Sequence, residues 1–510
     1  MEVLPFILIG AFLLSITLSL LSHTTKRTSM EIVSDMGIGW NMGNSFDCFS
    51  DEKLENPDEV ITLWGNIKPT KDLFKNLKRH GFKTIRFPIT WMNFMNEEGL
   101  ISKIFISKVK EVVDWIFSLK MYCIINVHHD STNPFWLSKG EESKSKFIFL
   151  WTQISEEFKN YDDHLIFECM NDLENYDDYN FTLLYIFNQE FINVIRNSEN
   201  YNKDRLLILS GANKDLSQTC SQEYKLPIDP YSNFAISIHY HLPSTFALEF
   251  DSAPWTYFDE NGKEIIVLPK TQWGDDNDYK EMFTHFETLN KVFLNNGIPI
   301  IITETGVLTG EKKELESIRN YLFTVFSMSG SYDGIMACLW DCSNSGDMQY
   351  YDRINNKFYD EEIDKNFKKI SRGKFPKPTD HSIYTNEDTI TNTNSNGNLE
   401  IKIGSKKVIK VIFNTHILMN QAKYVGFGIN SNNKAGQWIG ESISGTKGKK
   451  QYDGSYSFTF DASEKDYNEF IEIQKWWGNF DCIIFNYLTV EFNQKYKTLD
   501  LKAYREALKA

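Results

Sequence analysis

The sequence predicts an α/β chain: a (β/α)8 barrel of the TIM type followed by a smaller C-terminal antiparallel β-sandwich. Three observations carry that expectation. Between Glu31 and Arg372, eight short apolar runs of strand type are separated by stretches of helical patterning, spaced so that a helix fits after each. Runs such as Cys123-Ile124-Ile125-Asn126-Val127 and Ile300-Ile301-Ile302 do not alternate, which suits strands covered on both faces in a parallel sheet. Beyond Leu399 the runs do alternate, as in Tyr456-Ser457-Phe458-Thr459-Phe460, and Gly and Asn punctuate them, the pattern of an antiparallel sandwich.

In chain order, residues 1–28 come first. Val3 to Leu21 is almost unbroken apolar, and Ser22 and Thr24 offer small residues for cleavage, so the segment reads as a signal peptide. The alternative is a membrane anchor through residues 3–21, and a membrane is a partner only in that case. Secretion is the preferred reading, in keeping with the sequon Asn180-Phe181-Thr182. The barrel is expected over residues 29–372, with strands at Gly37–Asn41, Thr84–Pro88, Cys123–His128, Leu165–Asn171, Leu206–Ser210, Phe234–His239, Pro299–Glu304 and Gly334–Trp340. Between them, segments such as Ser107–Leu119 place Val109, Val112, Val113 and Ile116 in one helical stripe. Residues 373–398 open with Lys374-Phe375-Pro376-Lys377-Pro378 and continue rich in Thr, Asn and Ser, as a linker or surface loop does. The sandwich is expected over 399–495 and an exposed helical tail over 496–510.

Composition narrows the partners. With 54 Lys and Arg against 69 Asp and Glu, the chain has a formal charge of −15 and lacks the positive field that holds a phosphate backbone, so no nucleic acid partner is expected. The aromatic content is 15%; part of it must be core, but aromatic faces are also what neutral ligands need for binding. The seven cysteines are scattered, with Cys123, Cys169 and Cys338 inside apolar runs; they imply neither a disulfide framework nor a four-ligand zinc site. A monomer is expected.

Barrel active sites are built from the C-terminal ends of the strands. Seven of the eight runs close there on residues that can bind or react: Asn41 and Asn44, Arg86, His128 and His129, Asn171 and Asp172, His239, Glu304, and Trp340. Asp172 and Glu304, from the fourth and seventh strands, face each other across the mouth. One carboxyl held protonated as general acid and another ionised as nucleophile is what glycosidic cleavage requires. Arg86 and the histidines would keep Glu304 ionised and fixed, and Trp340 would give a sugar ring an apolar floor. A different chemistry stays open: His239-x-His241 has metal-ligand spacing, and Asp172 or Glu304 could complete the site of a metallohydrolase.

The segments Gly39-Trp40-Asn41-Met42-Gly43-Asn44, Thr84-Ile85-Arg86-Phe87-Pro88 with Thr90-Trp91, Ile125-Asn126-Val127-His128-His129, Phe167-Glu168-Cys169-Met170-Asn171, Ile238-His239-Tyr240, Ile302-Thr303-Glu304-Thr305-Gly306 and Leu339-Trp340-Asp341 together resemble glycoside hydrolase family five, in particular its endo-β-1,4-glucanases. The resemblance covers residues 35 to 360 in the family's order. It implies a retaining hydrolase of cellulose or a related β-glucan, needing no cofactor. Glu304 would be the nucleophile, supported by Arg86 and His128; Asn171 would bond the sugar 2-hydroxyl, His239 would stand at the acid/base, and Trp340 would stack at the cleavage subsite. His129 and Asn44 complete the expected sugar-binding set. Two positions depart from the family pattern. Asn171-Asp172-Leu173 stands where the family has Asn-Glu-Pro, so the acid/base is an Asp. His239-Tyr240-His241 stands where the family has His-x-Tyr, so His241 replaces the Tyr that bonds the nucleophile. The shorter acid loses roughly 1.5 Å of reach, one C–C bond, so a barrel that binds glucan without cutting it is the competing reading. Glu168 and Glu174 are the nearest other carboxyls; the first is too far inward on its strand and the second in the following loop.

In the second module, alternation along Ile471-Glu472-Ile473-Gln474-Lys475-Trp476-Trp477 puts Trp476 outward, and the same count puts Tyr424 and Trp438 outward. Three outward aromatics make a possible sugar-stacking platform, and a sandwich after a linker resembles a carbohydrate-binding module.

Overall fold

The computed structural model describes residues 27–509 except 51–53, 132–135, 174–179, 250–254, 259–263, 311–312, 389–398, 405–406, 418–424, 432–433, 438–448, 451–455, 462–468 and 479–482. The leader and Glu174 therefore lie outside the described residues.

Eight strands close into a barrel: β1 (Gly39–Asn41), β2 (Thr84–Phe87), β3 (Tyr122–Asn126), β4 (Leu165–Glu168), β5 (Leu207–Ser210), β6 (Phe234–Tyr240), β7 (Ile300–Thr305) and β8 (Ile335–Leu339). Each pairs in parallel with its sequence neighbours, and β8 returns to β1. All eight expected runs are present, most of them shorter at the ends, because the last residues of several runs leave the ladder for the site.

Side-chain alternation divides the barrel interior into layers. Ile124, Ile166, Ile208, Ile301, Met336 and Cys338 form a buried apolar layer with Ile32, Val33 and Met36 of the helix Ser29–Asp35, which plugs the N-terminal end. That helix starts on a capping box in which Thr28 and Glu31 satisfy each other's backbone N–H. Two residues further along the strands, the inward positions are polar: Arg86, Asn126, Glu168 and Ser237, all fully buried. The opposite strand faces, including Ile125, Phe167, Leu209 and Ile302, pack on the helices. The helix Lys103–Ser118 contributes Val109, Val112, Val113 and Ile116, the stripe expected from the sequence.

Two local features shape the seam around Glu304. β7 carries one extra residue against both neighbours, since Ile302 pairs with Ile238 and Ala337 while Glu304 pairs with His239 and Thr305 with Leu339. Such a bulge bends a strand and re-aims the side chain beyond it. The Thr303 carbonyl at the bulge accepts from Asn41 Nδ2 at 2.9 Å. At the β1–β8 contact, a Cβ on Gly39 would lie 2.3 Å from Cys338 Sγ, so any side chain there forces a neighbour to shift.

The chain divides into two compact units, residues 1–378 with 499–510, and residues 379–498. The C-terminal helix Leu501–Lys509 belongs to the first, not to an exposed tail: Tyr504 is fully buried, its hydroxyl bonded to Ser327 Oγ at 2.6 Å and to the Thr324 carbonyl at 3.2 Å. Residues 379–498 form the second unit. Their strands pair antiparallel in a five-stranded sheet, in the order Thr379–Asp388, Ile483–Thr498, Lys407–Ile417, Tyr456–Asp461 and Lys449–Lys450. A four-stranded sheet follows the order Leu399–Gly404, Glu469–Gly478, Val425–Ser431 and Lys434–Gln437. Thr379–Asp388 lies where the linker was expected; its polar composition hid a strand whose ten residues pair with Ile483–Thr498. Of the expected platform, Trp438 and Tyr424 lie outside the described residues. Trp476 sits where the register of Glu469–Gly478 against Val425–Ser431 slips by one, so counting by twos does not carry past it.

Candidate active site

The site grows from the polar layer. Arg86 donates all five of its N–H groups: Nε and Nη2 to Glu168 at 2.6 and 3.0 Å, Nη2 to Asn171 Oδ1 at 2.7 Å, Nη1 to Asn41 Oδ1 at 3.0 Å and Nη1 to Glu304 Oε1 at 2.7 Å. With no donor to spare, the guanidinium cannot turn, and it fixes Glu304 beyond the β7 bulge. Glu304 keeps 12% of its side chain exposed to the mouth. Burial raises its pKa above the ordinary glutamate range, with the Arg86 charge and hydrogen bond opposing. Burial also works against the charge of Arg86, but Glu168 and Glu304 hold it firmly protonated.

His239 stands between the two candidate catalytic carboxyls. Its Nε2 lies 3.5 Å from Glu304 Oε1, and its Nδ1 lies 3.9 Å from Asp172 Oδ2. One imidazole thus spans the gap between them. Asp172 is 23% exposed and accepts from Asn171 Nδ2 at 3.3 Å. Burial, reinforced by the Lys214 and Arg86 charges, pushes His239 well below its usual pKa, so it is neutral at neutral pH.

His128 meets Asn126 Nδ2 at 3.1 Å through Nδ1, which accepts, so Nε2 carries its proton. Its ring stacks on Trp340, centroids 5.8 Å apart and planes 7° from parallel. His129 packs edge-on to His128 at 4.6 Å and against Phe49 and Trp64. Burial depresses both histidines, His129 to about 4. Asn44 adopts a left-handed backbone (φ 53°) and donates Nδ2 to the Ser345 carbonyl at 3.2 Å.

His241, expected in place of the Tyr that bonds the nucleophile, has one ring nitrogen turned elsewhere. Its Nδ1 donates to the Gly306 carbonyl at 3.0 Å, so that nitrogen is committed past Glu304 to the chain beyond it. This also weighs against the metal reading. The His239 and His241 rings are 6.5 Å apart and nearly perpendicular, and neither belongs to a metal-capable group among the described residues. Those groups are Asp47 with His128 and His129, and Asp162 with Asp163 and His164. Six described cysteines are free.

Two residues that sequence reasoning left out belong to the same network. Glu168, set aside as too far inward to be an acid, is the fully buried partner of Arg86. Lys214, from the turn after β5, reaches Glu168 Oε1 at 3.0 Å and also bonds Ser237 Oγ. Alternation on β4 could have assigned Glu168 an inward place; nothing in the sequence marks Lys214.

A fixed carboxylate facing a second carboxyl, with a tryptophan at the rim of a (β/α)8 mouth, is the constellation of a glycoside hydrolase. The family model Cellulase (glycosyl hydrolase family 5) matches residues 45–346, and the chain belongs to that family. It is 30% identical over 333 residues to endoglucanase A of Clostridium longisporum, covering 62% of this chain and 60% of that one. The chain thus spans about 60% of that relative's length. Among solved structures, a GH5-4 broad specificity endoglucanase from an uncultured bovine rumen ciliate is 48% identical with a TM-score of 0.65, covering 68% of this chain and 99% of that chain. A family 5 lichenase from Caldicellulosiruptor sp. F32, a mutant form in complex with cellotetraose, is 27% identical with a TM-score of 0.59, covering 68% and 96%.

Proposed function

We propose that the chain is a secreted, endo-acting, retaining β-1,4-glucanase. The observation that carries this is the Arg86–Glu304 pair with His239 spanning the space to Asp172. Glu304 attacks the anomeric carbon, the glycosidic oxygen leaves with the Asp172 proton, and water then releases the sugar with Asp172 taking a proton back. Asn171, oriented by Arg86, meets the sugar 2-hydroxyl; His128 and Trp340 form one stacked wall for the ring at the cleavage point; His129 and Asn44 border it. Names such as endoglucanase and lichenase among the similar proteins, and cellotetraose in one complex, favour β-1,4-linked and mixed-linkage glucan as substrates.

The shorter Asp172 favours one competing reading, a barrel that binds glucan and cuts it slowly or not at all. The comparison that decides is product release from a panel of β-glucans by wild type, Asp172→Glu and Glu304→Ala. Glu304→Ala is expected to lose more than about 10³-fold in kcat/KM. Asp172→Glu is expected to gain up to about 10²-fold, within what a well-placed general acid supplies. Glu304→Ala as active as wild type would defeat the assignment.

Residues 379–498 are proposed as a β-sandwich that binds carbohydrate, on the strength of the two antiparallel sheets and of the aromatics Trp438, Trp476 and Tyr424. The apolar run at residues 3–21 supports export, with a retained anchor as the alternative, and the protein is taken as a monomer.

A further inference from the structure

We propose that Lys214 is a positioning residue of this site: by neutralising Glu168 it leaves the charge of Arg86 available to hold Glu304 ionised. The inference rests on the reading of Glu304 as nucleophile.

The argument is one of charge balance in a dry place. Glu168 is bound by two groups of Arg86, and without a second cation that pair would be neutral. Glu304, on the other side of the same guanidinium, would then be a buried carboxylate facing a spent cation, and desolvation would favour its neutral form. Lys214 restores the balance at two carboxylates and two cations, because its Nζ lies 3.0 Å from Glu168 Oε1. Lys214 is 2% exposed, and Ser237 supplies its other described contact. The backbone accepts a cost to bring it there: Asn213 and Lys214 are consecutive non-glycine residues with φ of 50° and 49°. The direction of each charge's effect agrees, since Lys214 and Arg86 lower the Glu304 pKa and Glu168 raises it.

Among the described residues, no other group around the site supplies a competing cation. His128 and His129 beyond β3, His239 on β6 and His241 just beyond it are all depressed by burial and neutral, the Cys338 thiol on β8 is pushed up and uncharged, and Asp172 beyond β4 is a carboxyl.

The test reads Glu304 directly. In protein labelled with ¹³C at the glutamate carboxyls, Glu304 is assigned by its absence in Glu304→Gln, and its titration is followed in wild type, Lys214→Met, Glu168→Gln and the double variant. Lys214→Met is expected to raise the midpoint by about one pH unit, and Glu168→Gln to lower it by a similar amount, as single nearby charges do. The double variant is expected to return close to wild type. On an active enzyme the acidic limb of kcat/KM moves in the same directions. An unmoved midpoint in Lys214→Met, or a double variant displaced as far as Lys214→Met, overturns the proposal. If Lys214→Met does not fold, the fall in Glu168→Gln carries the test, and no fall overturns it. Because the titration needs no turnover, a chain that cleaves no glucan would refute the glucanase reading while leaving this result readable.

Discussion

Arg86 is the residue on which the site turns, because its two faces hold two carboxylates of different use. Replacing it with Met would leave Glu168 and Glu304 buried without it; breaking a buried pair in this way costs about 3–5 kcal/mol, and thermal or urea denaturation should show it. Arg86→Lys keeps a charge but not the five-way fork, so it should recover stability better than activity. The pH dependence follows from Glu304. Its pKa is raised by burial, and attack requires the ionised form, so kcat/KM is lost as pH falls through a value above the ordinary glutamate range of about 4.3. The neutral histidines 128 and 239 set no limb near neutral pH. A pH–rate profile that stayed flat down to pH 4 would contradict this assignment. At this scale the sequence was informative wherever a residue closes an apolar run, as Arg86, His128, Asp172, His239 and Glu304 do. It was silent on Lys214, which acts from a turn through a contact 46 positions back along the chain.

Among the elements, the β1–β8 seam leaves no free space for a side chain at Gly39. Gly39→Ala would press a methyl on Cys338 Sγ, and overpacking of that kind costs about 1–3 kcal/mol. Cys338→Ala in the same chain should return most of it, a coupling that a double-mutant cycle in urea measures. The strands themselves were legible because parallel strands buried on both faces leave unbroken apolar runs. The bulge at Thr303 was not, because an extra residue in one strand is defined only against its neighbours, Ile238–His239 and Ala337–Leu339. Thr379–Asp388 was misread for a related reason: local composition said loop, whereas its pairing partner lies about a hundred residues away.

For the whole molecule, the return of the chain to the barrel matters. Tyr504 of the C-terminal helix is buried against Ser327 and Thr324, and Arg505 pairs with Asp276 at 2.8 Å. Tyr504→Ala should therefore destabilise the barrel by about 3 kcal/mol, the cost of removing a buried aromatic ring, and a scan of thermal unfolding reads it. An exposed tail would give no change. The eightfold alternation of strand and helix and the polar strand ends are properties of order along the chain, so the barrel and the family could be read from residues alone. The partner of Glu168, the turning of His241 toward Gly306 and the docking of Tyr504 depend on which distant groups meet in low dielectric. Such meetings are decided by closure of the barrel, where each buried charge must find its counterpart in space rather than along the chain.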